Sequence, residues 1–183
     1  TRSGPRFGNS EVAAAPISGM LPPIARRFVA GESVPEALDH VRACNEDGIA
    51  VVVNLLGEHY DDPAAARADV DAYLALLDDI AGSGLDARIS VKPSQIGLDV
   101  SAELFEEHYR EIVARADEFG AFVWCDREDA ATTDDTLDAF ESVAAEHPWR
   151  VGQCVQSNLR RTRDDLDRLV DVPGSIRLVK GAY

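Results

Sequence analysis

Five short apolar runs in this chain each end in a polar residue. Residues 49–56 lead to Glu58, 88–91 to Lys92, 121–125 to Asp126, 151–155 to Gln156, and 176–179 to Lys180, with Arg177 set inside the last run. Gathered at one mouth, these groups would offer two ammonium ions, a guanidinium, an amide and one or two carboxylates. Three cations against so few anions suit an anionic ligand, and Lys92 facing Asp126 suits a zwitterion whose carboxylate and amine need opposite partners. The competing interpretation is that Lys92 and Asp126 form a buried ion pair between neighbouring strands and bind nothing. A buried parallel strand should be almost continuously apolar, so Arg177 and Lys180 must either reach solvent or serve a bound anion; the second is expected here. Being three residues apart, they cannot share one face of a regular strand. Both reach a ligand only if the strand ends near Val179 and Gly181 turns the chain.

No Gly-rich phosphate loop of either common type occurs, so a phosphate-bearing cofactor would rest on side chains and on the turn Lys180-Gly181-Ala182. Tyr183 could wall such a pocket or be an edge aromatic. Other residues carry less. His40 and His108 fall on helices and read as solvated, His147 sits in a helix-ending turn before a proline, and His59 follows the first tip. Arg160, Arg161 and Arg163, beside Asp164 and Asp165, read as a charge cluster at a helix start, and Trp124 and Trp149 as core.

The elements that must position these tips repeat one pattern. Residues 1–32 are rich in Gly, Pro, Ala and Arg and read as a lead-in or cap; residues 33–183 form the domain. Ser33, Pro35 and Glu36 open a helix closed by Gly48. Asp62-Pro63 opens another, with Val70, Tyr73, Leu74, Leu77 and Ile80 on one face and Gly82 and Gly84 at its end. Ser101, Thr133 and Thr162 are the expected caps of three more, stopped by Gly120, Pro148 and Pro173. Five strands thus alternate with five helices, which implies right-handed βαβ crossovers and a parallel sheet. An open doubly wound sheet gathers its site where strand order reverses; a polar group at every strand end is instead the pattern of a (β/α)8 barrel, here with five consecutive units.

Composition narrows the partners. The 183 residues carry a net charge of −15, which argues against nucleic acid and anionic membrane surfaces. No run of ~18 apolar residues suggests a membrane span, and no charged-then-apolar leader is present. Of the 18 basic residues only Lys92 and Lys180 are lysine. Many carboxylates with hardly any lysine is the expected surface of a halophilic protein, and it makes two lysines at strand ends stand out. Cys44, Cys125 and Cys154 form no metal-binding pattern and read as buried thiols in a reducing compartment. No metal site is expected.

At these residues the chain resembles proline dehydrogenase, an FAD-dependent (β/α)-barrel family. The matching stretches are Arg27 to Gly31, Leu55-Leu56-Gly57-Glu58, Ile89 to Lys92 with Gln95 to Leu98, Asp126 with Glu128, Val155-Gln156 with Leu159 to Thr162, and Arg177 to Tyr183. The resemblance implies oxidation of L-proline to Δ1-pyrroline-5-carboxylate, with electrons passed from FAD to a quinone, as part of proline catabolism. It implies that Lys92 pairs with the substrate carboxylate, that Asp126 sits in the pocket linked to Lys92, and that Tyr183 packs on proline. Gln156 and Arg177 would hydrogen-bond the flavin ring, with Arg177 near the hydride-accepting nitrogen, and Lys180, Gly181 and Ala182 would hold the FAD. A cytoplasmic location follows, with peripheral membrane contact where the quinone is reduced.

The chain departs from the family at Pro93, at Arg127, which stands beside the flavin where a smaller or apolar residue is usual, and at Ser157-Asn158. The family's last three strands have no counterpart, so an exposed sheet edge, poor stability and inactivity without the C-terminal part of the barrel are expected of this chain alone. Two other interpretations remain at this stage: a Schiff-base aldolase using Lys92, and a catalytically incomplete fragment.

Overall fold

A computed structural model describes residues 29–181 of the chain. Five parallel strands and five helices alternate: α1 (Val34–Glu46), β1 (Val51–Val53), α2 (Pro63–Ser83), β2 (Ala87–Val91), α3 (Ala102–Glu118), β3 (Val123–Cys125), α4 (Thr133–Glu146), β4 (Val151–Gln156), α5 (Thr162–Leu169) and β5 (Ser175–Val179). The strands lie side by side in chain order, β1-β2-β3-β4-β5, all parallel. Sequential order with a helix in every crossover is the winding of a (β/α) barrel, and these five units form rather more than half of one.

Local signals set the helix ends. Asp62 accepts a hydrogen bond from the Ala64 N–H at 2.9 Å with Pro63 in the first turn, and Ser101 accepts one from the Leu104 N–H at 3.1 Å. Gly84 ends α2 in a left-handed conformation, φ 68°. Two caps fall one residue before the expected ones. Thr132 and Arg161 precede the helices, because the Thr133 hydroxyl accepts from Arg127 and the Thr162 hydroxyl donates to the Gln156 carbonyl, tying each helix start to a strand end.

Strand parity separates the two faces of the sheet. Ile89, Val91, Val123, Cys125, Val151 and Val155 face the helices and pack against Tyr73, Leu77, Phe105, Tyr109, Ile112 and Phe140 in one core. The alternate residues, Ser90, Trp124, Gly152, Cys154 and Arg177, lie on the inner face. Arginines stitch each seam between α2, α3, α4 and α5: Arg67 to Glu111, Arg115 to Asp78, Arg110 to Glu146 and Arg168 to Asp138 and Glu141.

Among the described residues no strand pairs with the outer edge of β1 or of β5. The first strand is only three residues long, not the eight of the apolar run, because among the described residues its ladder with β2 covers only Val51–Val53; Ile49 and Leu56 are left 56% and 72% exposed. At the other edge Ile176 and Leu178 are exposed on the outer face of β5. Three further expectations are corrected. Trp149 is 68% exposed, in a turn where its φ of 69° swings it off the core. Trp124 is half-buried on the inner face rather than in the core. His108 is buried, because the loop after β2 folds over α3 and places the Ile96 carbonyl 2.9 Å from its Nδ1. Most of the lead-in segment, residues 1–28, lies outside the described residues, as do Ala182 and Tyr183.

Candidate functional site

The site is built where β2 to β5 end. Lys92 follows β2 directly, and its ammonium donates to Glu58, beyond β1, at 2.6 Å. That bond and the charge behind it hold the Glu58 carboxyl below its ordinary range. The turn after Lys92 is pinned from the next strand. Glu128 accepts from both the N–H and the hydroxyl of Ser94, each at 2.8 Å, while Ser94 in turn accepts from the N–H groups of His59 and Tyr60. One serine thus fastens the loops that follow β1, β2 and β3. His59, at φ 58°, also bonds Asp99 at 2.9 Å, which raises its pKa.

Asp126 follows β3, its N–H donating to the Val91 carbonyl at 2.9 Å, which aims its side chain to the inner face. There the carboxylate accepts from the Ser90 hydroxyl at 2.9 Å and from Arg177 Nη2 at 2.5 Å. Arg177 crosses β4 to make this bond. On the way its Nε donates to the Cys154 sulfur at 2.8 Å, and its guanidinium carbon lies 4.9 Å from the centre of the Trp124 ring. Burial pushes the Cys154 thiol pKa up, against a smaller lowering by Arg177. Cys154 therefore sits beside the cation as a neutral thiol.

Gln156, the last residue of β4, is buried. Its amide nitrogen donates to the carbonyls of Arg127 and Glu128 at 2.9 and 3.2 Å, which leaves its Oε1 buried without a hydrogen-bond partner. Gly181 turns the chain at φ 84° just beyond β5, so close to Gln156 and Asn158 that a side chain there would meet both. The Lys180 carbonyl is held by the Asn158 N–H and the Ser157 hydroxyl. An orphaned buried acceptor beside a glycine that must stay bare is the preparation expected for a group with its own N–H donor.

Of the residues singled out in the sequence, Lys92, Asp126, Gln156, Lys180 and Gly181 lie at consecutive strand ends, and Arg177 lies in the middle of β5. Glu58 is a partner of Lys92, and Arg177 a partner of Asp126, that the sequence did not indicate. The Arg127 side chain turns away from the mouth. It is 1% exposed, bonded to Asp165 at 2.9 Å and to Thr133 at 2.7 Å, so only its backbone borders Gln156. Arg161 completes that cluster from the start of α5, pairing with Asp165 and Asp134. In the sequence Ser90 carries no expected role, while Trp124 reads as core and Cys154 as a buried thiol. Each lies two residues before a tip and so shares its face, a relation that the sequence does contain.

Residues 37–183 match the family model described as proline dehydrogenase. The chain is similar to the proline dehydrogenase of Deinococcus radiodurans, 38% identical over 87% of this chain and 53% of that protein. It is also similar to proline dehydrogenase 1 of Bacillus subtilis strain 168, 32% identical over 87% of this chain and 52% of that protein. The chain therefore spans about half the length of the curated relatives it matches. Among solved structures, proline utilization A from Bdellovibrio bacteriovorus, inactivated by N-propargylglycine, superposes with a TM-score of 0.79. At 24% identity it covers 87% of this chain and 20% of its own, a likeness of fold.

Proposed function

Since the chain belongs to the proline dehydrogenase family, we propose that it carries the substrate and flavin face of an enzyme that oxidises L-proline to Δ1-pyrroline-5-carboxylate. The observation that carries this reading is the pairing of Arg177 on β5 with Asp126 at the end of β3, beside the β2 tip that bears Lys92, with the orphaned Gln156 acceptor at the end of β4 between them. FAD held at this face would supply a two-electron acceptor for the hydride on the proline carbon next to nitrogen, and a route for those electrons to a quinone.

The chain's own residues bind and orient. Lys92 takes the proline carboxylate, which competes with Glu58 for the ammonium, and the Ser94 turn fixes where that carboxylate lies. Asp126 faces the secondary amine of proline. Arg177 and Gln156 hold the flavin ring, Gln156 through its unpartnered oxygen, and Lys180 and Gly181 border the rest of the cofactor; Ala182 and Tyr183, outside the described residues, are assigned from the family resemblance to the cofactor and to packing on proline. Removing hydride from carbon and a proton from nitrogen leaves the C=N bond of the product. Arg127 contributes backbone to this rim, its guanidinium being spent on Asp165.

The Schiff-base alternative is disfavoured because the Lys92 nitrogen is engaged by Glu58 at 2.6 Å, whereas an imine-forming amine must be free to attack a carbonyl. The open edges at β1 and β5 leave a barrel to be closed, and we assign that closure to further βα units, without which the face described here is incomplete. Among the described residues no helix is long and apolar enough to cross a membrane.

The test is the visible spectrum of the protein with its barrel completed, purified with FAD, before and after anaerobic L-proline. The expected result is a bound flavin that bleaches with proline, while residues 1–183 alone retain none. A colourless completed protein, or a proline-independent imine trapped by borohydride on Lys92, overturns the reading.

A further inference from the structure

The inner face of the sheet prepares one side chain with unusual care. Arg177 is engaged at three points: Nε on Cys154, Nη2 on Asp126 with Ser90 3.5 Å away, and one guanidinium face over Trp124. The strand registers give the layering. Trp124 pairs with Gly152, and Gly152 with Ser175, whereas Arg177 pairs with Cys154 two residues further along. Trp124 therefore lies one layer closer to the N-terminal ends of the strands, with the guanidinium carbon over its ring.

That ring has its own support. A Cβ on Gly152 would run into the Trp124 ring and approach the Phe122 ring, which itself packs on Trp124 with centroids 5.0 Å apart. The indole is thus seated in space that only a glycine leaves open. A cation held by a sulfur, a carboxylate and an indole ring has few alternative rotamers. Among the described residues its remaining terminal nitrogen, Nη1, makes no hydrogen bond.

We infer that Trp124 and Cys154 are positioning residues that set the plane of Arg177, so that the donor left over points at the ligand of the mouth. The inference rests on the reading of that ligand as a flavin. Cys154 acts as an acceptor for Nε–H, and its raised thiol pKa suits a neutral acceptor rather than a nucleophile. Trp124 supplies cation–π contact that neither tyrosine nor phenylalanine matches. Neither residue touches substrate.

The test compares Trp124→Leu, Cys154→Val, Cys154→Ser and Arg177→Met in the FAD-loaded protein with its barrel completed. It measures the flavin reduction potential by dithionite titration alongside kcat and KM for proline. Trp124→Leu and Cys154→Val should each lower kcat about tenfold or more, through misplacement of the cation, with KM nearly unchanged. They should also lower the potential in the direction of Arg177→Met, because a cation near the ring favours the reduced form. Cys154→Ser, which keeps an acceptor, should restore both. If Arg177→Met moves the potential and kcat while Cys154→Val and Trp124→Leu move neither, the positioning role is wrong and the functional reading stands. If Arg177→Met is itself silent, the role of Arg177 at the flavin fails and this inference with it. Should Trp124→Leu not fold, Cys154→Val against Cys154→Ser decides alone.

Discussion

Arg177 on β5 reaches across β4 to donate to Asp126 at the end of β3, at 2.5 Å. A contact that spans three strands makes Asp126 the counter-ion of Arg177 as much as a partner of any ligand. Asp126→Asn keeps the shape and removes the charge. We expect proline turnover by the completed protein to fall about 10²-fold, the scale for losing one preorganised electrostatic contact at a reacting centre. Urea unfolding should shift much less, since the pair is partly exposed. Turnover within twofold of the parent would remove Asp126 from the chemistry.

Glu128 acts on Lys92 without touching substrate. It holds both hydrogen-bonding groups at Ser94, two residues past the lysine. Glu128→Ala leaves the Ser94 N–H short of a charged acceptor, at a cost of about 2 kcal/mol in stability. The turn then loosens, and KM for proline should rise more than kcat falls. Steady-state kinetics over a range of proline concentrations checks this, and a pure kcat loss would place Glu128 elsewhere.

Gly152→Ala tests the inner-face packing by crowding. The added methyl meets the Trp124 ring, which cannot retreat freely with Phe122 beside it. Overpacking of this kind costs about 1–3 kcal/mol, and the displaced indole should carry Arg177 with it. Chemical denaturation and the flavin spectrum of the same sample report the two effects. Unchanged stability would mean that the ring moves without resistance.

Much of this fold was legible because its signals are local. Asp62-Pro63, Ser101 and Gly84 mark helix ends within a turn, and each apolar run followed by a polar residue marks a strand and its tip. The partners within the site were not legible, because they depend on strand register. Nothing local states that Cys154 stands opposite Arg177, or that Asp126 lies within reach of β5 rather than only of Lys92. Trp124 was misread for a related reason. An aromatic inside an apolar run looks like core, and parity alone does not say which face of a strand covered on both sides lines the barrel. His108 looked solvated because its burial is supplied by the loop ending near Val100, not by its helix.

The buried pair Arg127 and Asp165 should matter more to stability than to chemistry. Their side chains are 1% and 4% exposed. Asp165→Ala strands the Arg127 charge in the interior, and losing one partner of such a pair costs about 3–5 kcal/mol. The urea midpoint should fall accordingly, while flavin affinity in the fraction that remains folded changes little. A mild effect would mean that Thr133 and nearby carbonyls suffice for the guanidinium.

Salt sets two electrostatic effects against each other, and their length scales decide the outcome. The net charge of −15 acts through carboxylates spread over the whole surface, whereas the seam pairs between helices are contacts of 2.5 to 3.0 Å. The screening length shrinks from about 10 Å at 0.1 M salt to about 3 Å at 1 M. Repulsion across the surface is therefore screened well before the contact pairs are, and each exposed pair contributes only about 0.2–1 kcal/mol in any case. The thermal midpoint of the protein should rise from dilute buffer to molar KCl. Greatest stability in dilute buffer would show that the arginine seams outweigh the net charge, and the halophilic reading of the composition would have to be abandoned.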